Sequence, residues 1–384
     1  MKKLTLSLMI FLAAFVMNAQ HVDFYKGSWE EANDKAKAEN KFIFLDAYTD
    51  WCAWCKVMDK EMFTDPEVAP FINDNFIPLK INFEETFGQK LAAKFRVMGF
   101  PTTLIFNPEG QLVTKIEGYN DNHKEYRQEL QDALNIKKAN VFPFDSKELE
   151  PGFPEFYLKS FAPGKERVWP SDSIVNDYLE QQQDLFSEVN WSILYKFQPK
   201  EYMSFFRENY DKYLEMYGRS ETESYLSDII YFDVQKAIQN KSIDELEIAL
   251  ELCNKLSNAE IQKFSFRLLF YEKTGDWEGY AAEIESYIKV NGYEDHMMVN
   301  NASWTIYEKV NDKKILKMAA GWMEQVVANQ PKWMYLDTYA ALLYKSGDLK
   351  QAESIAVKAI ETGKKEGEDV SETQKLLDKI KEAK

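Results

Sequence analysis

Cys52 and Cys55 are separated by two residues in the run Trp51-Cys52-Ala53-Trp54-Cys55-Lys56. Thiols at this spacing close a disulfide reversibly. Where a strand runs into a helix, the first of them falls at the helix N-terminus, and there the unpaired backbone N–H groups and the helix dipole favour a thiolate. Cys52 is thus the expected nucleophile. Cys55, one turn further in and less exposed, is placed to attack a mixed disulfide at Cys52, release the reduced partner and leave the pair oxidised. Half a zinc site has the same spacing, but zinc needs two more ligands. The remaining cysteine, Cys253, lies far along the chain, and His21, His123 and His296 are not paired at ligand spacing. Redox chemistry is therefore expected ahead of a metal site or a purely structural disulfide, with no metal and no cofactor.

The elements that must hold these thiols are readable around them. Residues 42–47, Phe-Ile-Phe-Leu-Asp-Ala, form an apolar strand that places Asp46 six positions before Cys52. If buried there, Asp46 has its pKa raised by desolvation and can take the Cys55 proton, directly or through water. A strand-end carboxylate facing solvent is the competing reading. A helix is expected over 28–40, then the strand, then a helix carrying the cysteines to about Met62. Thr64-Asp65-Pro66-Glu67 reads as the capped start of a short helix with Pro66 in its first turn. A strand at 76–82, a helix at 89–95, strands at 102–106 and 111–117 joined by the turn Asn107-Pro108-Glu109-Gly110, and a closing helix at 121–134 complete the pattern.

Residues 24–137 resemble the thioredoxin family. The resemblance rests on Cys52-Ala53-Trp54-Cys55, on Asp46 at the position of the family's buried aspartate, on Lys80 at that of the lysine near it, and on Gly99-Phe100-Pro101-Thr102. It implies an α/β thioredoxin-like three-layer sandwich, with Pro101 in the cis form opposite the cysteines and the backbone of Phe100 free to pair with an extended substrate. Cys52, Cys55, Asp46 and Lys80 are then the expected catalytic residues. Trp51, Ala53, Trp54, Phe100 and Pro101 are the expected substrate-binding ones. Lys80 reads equally as an exposed strand lysine. Because Ala53 and Trp54 put no charge between the thiols, the motif resembles those of reducing members.

At the N-terminus, Lys2 and Lys3 precede an apolar stretch at 4–16 and then Met17-Asn18-Ala19-Gln20. This fits a signal peptide over residues 1–19, hence a periplasmic or secreted protein, and is too short for a bilayer span, so no stable membrane anchor is expected. The formal charge of −16 falls to −18 once Lys2 and Lys3 are removed. That balance, with no basic cluster and no Gly-rich phosphate loop, argues against a nucleic-acid partner.

Five prolines between 138 and 172 read as a linker or an irregular packing segment separating the thioredoxin-like domain at 20–137 from an all-α domain at 173–384. Within the latter, Gly275-Asp276, Asn311-Asp312 and Gly347-Asp348 recur with a constant step of 36 residues. Such a step marks a helical-hairpin array, each first helix ending at a left-handed residue and each aspartate capping the next. The last unit resembles a tetratricopeptide repeat. Ser242 and Glu245 suggest a capping box for an earlier helix holding Cys253 on its buried face with Ile243, Leu246, Leu250 and Leu256. Two functions are consistent with this layout. One is an exported thiol-disulfide oxidoreductase, reductase favoured, acting on protein disulfides with an electron donor from elsewhere and with repeats that recruit a protein partner. The other is an extracytoplasmic adaptor whose thioredoxin-like domain is catalytically minor.

Overall fold

A computed structural model of the chain describes residues 21–136 and 148–384. The expected signal peptide and the first part of the proline-containing stretch lie outside these residues. The chain divides after Tyr225 into two compact units.

In the first unit, helix α1 (Trp29–Glu39) begins at a capping box formed by Ser28 and Glu31 and ends at Asn40, in the left-handed region. Strand β1 (Phe42–Tyr48) follows, then α2 (Ala53–Glu61), α3 (Val68–Asn75), β2 (Phe76–Asn82), α4 (Thr86–Phe95), β3 (Thr102–Phe106), β4 (Leu112–Glu117) and α5 (His123–Leu134). The four strands form one mixed sheet in the order β2-β1-β3-β4, with β1 parallel to β2 and antiparallel to β3, and β3 antiparallel to β4. Being flanked on both sides, β1 is buried almost throughout, which is why its sequence is apolar apart from one acid. On one face, Phe44, Met58, Phe63, Ile72, Ile105 and Leu130 make a common core. This is the thioredoxin-like α/β arrangement. One expected start is displaced: Pro66 precedes α3 rather than entering its first turn, and the Asp65 carboxylate accepts from the N–H groups of Glu67 and Val68.

The rest of the first unit is helical: α6 (Glu155–Lys159), α7 (Asp172–Glu180), α8 (Glu188–Phe197), α9 (Met203–Glu208), α10 (Tyr210–Tyr217) and the beginning of α11 (Arg219–Asn240). The boundary expected at 172 therefore lies inside this unit. Its physical cause is a buried seam. The Tyr157 hydroxyl donates to the carbonyl of Ala93 at 2.7 Å. Glu221, 1% exposed, accepts from Arg96 Nε at 2.8 Å, Lys115 Nζ at 2.7 Å and the Trp191 indole at 2.9 Å. Trp191 in turn stacks on Phe206 and Tyr217. Arginine and lysine from the sheet domain thus meet a glutamate more than a hundred residues away, and the segment between 148 and 172 packs instead of merely linking.

The second unit is all-helical, running through α12 (Ile243–Glu251), α13 (Ala259–Thr274), α14 (Trp277–Asn291), α15 (His296–Lys309), α16 (Lys313–Asn329), α17 (Trp333–Ser346), α18 (Leu349–Glu366) and α19 (Ser371–Glu382). Successive helices pack in pairs, α13 on α14, α15 on α16 and α17 on α18. Small residues Ala340, Ala352, Ala356 and Ala359 are fully buried in the shared core. Asp276, Asp312 and Asp348 each cap the following helix, and Gly275 and Gly347 are left-handed as the pattern requires. Asn311 departs from it: α15 stops earlier, with Val310 extended, so no left-handed residue is needed there. Cys253 is buried, but in a 3-10 turn after α12, and Ile243 is exposed. Ser242 caps α12, while Glu245 bonds to Asn240 instead of closing the box.

Candidate active site

The site begins with the only charged residue of β1. Register places Asp46 opposite Lys80 of β2 on one side and Thr103 of β3 on the other. Asp46 is 1% exposed, and its carboxylate accepts from Lys80 Nζ at 2.8 Å. Burial raises its pKa to about 6, the nearby Lys80 ammonium offsetting only part of that effect and Asp59 adding to it. Burial works to lower the pKa of Lys80, but Asp46 and then Asp59 carry it above its ordinary value. Lys80 also bonds to Asp59 of α2, so one ammonium joins a strand carboxylate to a helix carboxylate.

Cys52 is the N-cap of α2 and is bonded to Cys55, with S–S 2.08 Å and Cα–Cα 5.3 Å. The Cys55 backbone N–H donates to Cys52 Sγ at 3.0 Å, the geometry that stabilises negative charge on that sulfur. Both cysteines are 3% exposed. The greater exposure expected of Cys52 is therefore not found in the disulfide state, in which the two cysteines are equally buried. Trp51 precedes the pair and Trp54 stands between the two cysteines; they are 64% and 61% exposed. The Trp51 ring meets Phe100 edge-on at 6.1 Å, and Trp54 stacks on Tyr119 at 5.7 Å. The Phe100-Pro101 peptide bond is cis. Ala53, the first residue of α2, is exposed between the thiols.

Three contributors were not anticipated from sequence. Glu84 accepts from the Trp51 indole at 3.0 Å and from the Asp50 N–H at 3.3 Å, fixing the orientation of the aromatic rim. Tyr119 donates to Glu61 at 2.9 Å, and partial burial first, then this bond, pushes its phenol up to about 12. Asp59 sits four residues beyond Cys55 on the same helix face, a spacing that could have flagged it. Glu84 and Tyr119 carry no such signal. Among the described residues, no group of three or more His, Cys, Asp or Glu could hold a metal ion, and no helix is long and apolar enough to cross a membrane.

Residues 6–150 match the family model Thioredox_DsbH, described as a protein of unknown function, DUF255. A thiol:disulfide interchange protein DsbD of Pseudomonas fluorescens is 34% identical over 80 residues, covering 21% of this chain and 14% of that one. Its Salmonella typhimurium namesake is 38% identical over 78 residues, covering 20% and 14%. The chain thus spans about one seventh of the length of these relatives. A solution structure from Bacteroides thetaiotaomicron, provisionally named a disulphide-isomerase, shares 32% identity over 31% of this chain and 98% of its own, with a TM-score of 0.29. The N-terminal sheet region, which the family model matches, is thioredoxin-like, and an all-helical C-terminal region follows it. The chain carries a thiol-disulfide oxidoreductase-like domain.

Proposed function

We propose that the protein is an exported thiol-disulfide oxidoreductase that reduces protein disulfides through Cys52 and Cys55. In the reduced enzyme, the Cys52 thiolate attacks one sulfur of the substrate disulfide, and the other substrate sulfur leaves as a thiolate. Asp46 then takes the Cys55 proton, directly or through water, and Cys55 attacks Cys52 Sγ. The Cys52–Cys55 bond re-forms, the second substrate sulfur departs, and two electrons have passed to the substrate. An external dithiol donor restores the pair. Lys80 holds Asp46 in place. Trp51, Ala53, Trp54, Phe100 and Pro101 form the surface on which the substrate lies. The helical repeats of the second unit recruit a protein partner.

The observation that carries this reading is a closed disulfide capping α2 in the same sheet domain as a buried carboxylate whose pKa, about 6, suits proton transfer near neutrality. The burial of both cysteines is what favours the alternative, an adaptor with a catalytically minor thioredoxin-like domain. Insulin reduction with dithiothreitol as donor separates the two. The proposal requires catalysis by the wild type that disappears in Cys52→Ser; equal, background rates for both proteins would leave the adaptor.

A further inference from the structure

Next to the aromatic rim, the first unit contains a groove of about 220 Å³ that the disulfide chemistry does not use. One wall belongs to the sheet domain, with Trp51, Met98 and Phe100; the other belongs to the helical extension, with Phe161, Trp169 and Lys196. Lys196 is 8% exposed, and its ammonium lies 3.7 Å from the centre of the Phe161 ring and 5.2 Å from that of Trp169. Its hydrogen bond is to the Met98 thioether, at 3.4 Å, a weak acceptor. Arg167 lines the same groove, its Nε donating to the Ala162 carbonyl. Among the described residues, neither cation is in an ion pair. Burial, and then the charge of Arg167, lowers the pKa of Lys196 to about 7. The acidic group of the groove, Glu84, is already engaged by the Trp51 indole and the Asp50 N–H.

A buried ammonium without a carboxylate is costly, and elsewhere in this unit the cost is offset by pairing, as for Lys115 with Glu221. Among the described residues Lys196 has ring faces and a thioether where Lys115 has a carboxylate, so an anion entering the groove would hold it in the charged form that burial otherwise disfavours. We propose that this groove is a specificity subsite that receives an acidic side chain of the disulfide-bearing substrate polypeptide, its carboxylate pairing with Arg167 and Lys196. The proposal rests on the reductase reading above and adds the substrate's chemistry to it. A polypeptide lying across Trp51 and Phe100 enters the groove directly, because both residues line it.

The test uses full-length protein with dithiothreitol and a set of disulfide-bonded peptides in which one Glu is walked through the positions flanking a cysteine, each paired with its Gln counterpart. For at least one position, wild-type kcat/KM should favour Glu about tenfold, the preference shrinking as salt is raised. Arg167→Gln, at an exposed site that leaves the core intact, should cut the ratio several-fold, and Lys196→Met should cut it further. A ratio near one at every position, or a ratio unchanged in both variants, would overturn the subsite. Hydroxyethyl disulfide, small and neutral, separates the two levels. Wild-type turnover of it alongside equal peptide rates removes the subsite and leaves the reductase, whereas no turnover of any disulfide removes both.

Discussion

Two carboxylates in the first unit are equally buried, each 1% exposed, yet they sit on opposite sides of their ordinary values. Asp46, in the strand before the disulfide, is raised to about 6; Glu221, in the seam between sheet domain and helical extension, is lowered to about 2. Burial pushes both upward, so the difference lies in the partners. Glu221 faces Arg96 and Lys115, both themselves buried, and a tryptophan N–H. Asp46 has one lysine, which it shares with Asp59. Saturating a buried acid with cations makes it a fixed structural charge. Leaving it under-paired keeps it able to take and release a proton, the property a relay requires.

The largest effect is expected where this contrast meets the chemistry. Cys52→Ser should abolish insulin reduction, and Asp46→Asn should slow it by about 10²-fold at pH 7, the size of a lost proton acceptor, in a pH–rate comparison with wild type. Glu221→Gln, by leaving two buried cations short of a counter-charge, should cost about 3 kcal/mol in urea unfolding. Asp46→Asn should instead stabilise the protein at pH 8, by about 1–2 kcal/mol, since it removes a carboxylate that folding disfavours in its charged form. If both substitutions shifted the unfolding midpoint in the same direction, the distinction between relay and structural charge would fail.

The smallest effect is a matter of sign. An acid raised by folding, such as Asp46, contributes stability that is present below its ordinary value of 3.8 and is lost as pH rises through about 6. Glu221 does the reverse, contributing above 4.5 and losing its contribution as pH falls toward about 2. Unfolding curves of Glu221→Gln and wild type should therefore converge below pH 4, while those of Asp46→Asn and wild type converge on acidification below about pH 6.

The arrangement around the Cys52–Cys55 disulfide was legible because its determinants are local. Cysteine spacing, the single acid in an apolar strand and the Gly-Phe-Pro-Thr loop each lie within a few residues, and strand periodicity gave the sheet nearly residue by residue. The seam was not, because Arg96 and Glu221 are far apart in the chain and a sequence pattern carries no record of which distant charges meet; the helices after 172 therefore read as a separate domain, although those up to Tyr217 share the first unit. Asn311 shows a subtler limit. An aligned repeat transmits the capping aspartate faithfully, but how the preceding helix ends depends on where it stops, and α15 stops short.

In the proposed reduction Cys52 is the sulfur that captures substrate and Cys55 the one that resolves it. Mass spectrometry of the Cys55→Ser variant, reduced and then mixed with a disulfide-bonded peptide, tests this directly. A stable mixed disulfide on Cys52, formed rapidly near neutral pH, is the expected result. A Cys55→Ser protein that forms no adduct, together with a Cys52→Ser protein that traps the peptide on Cys55, would contradict it.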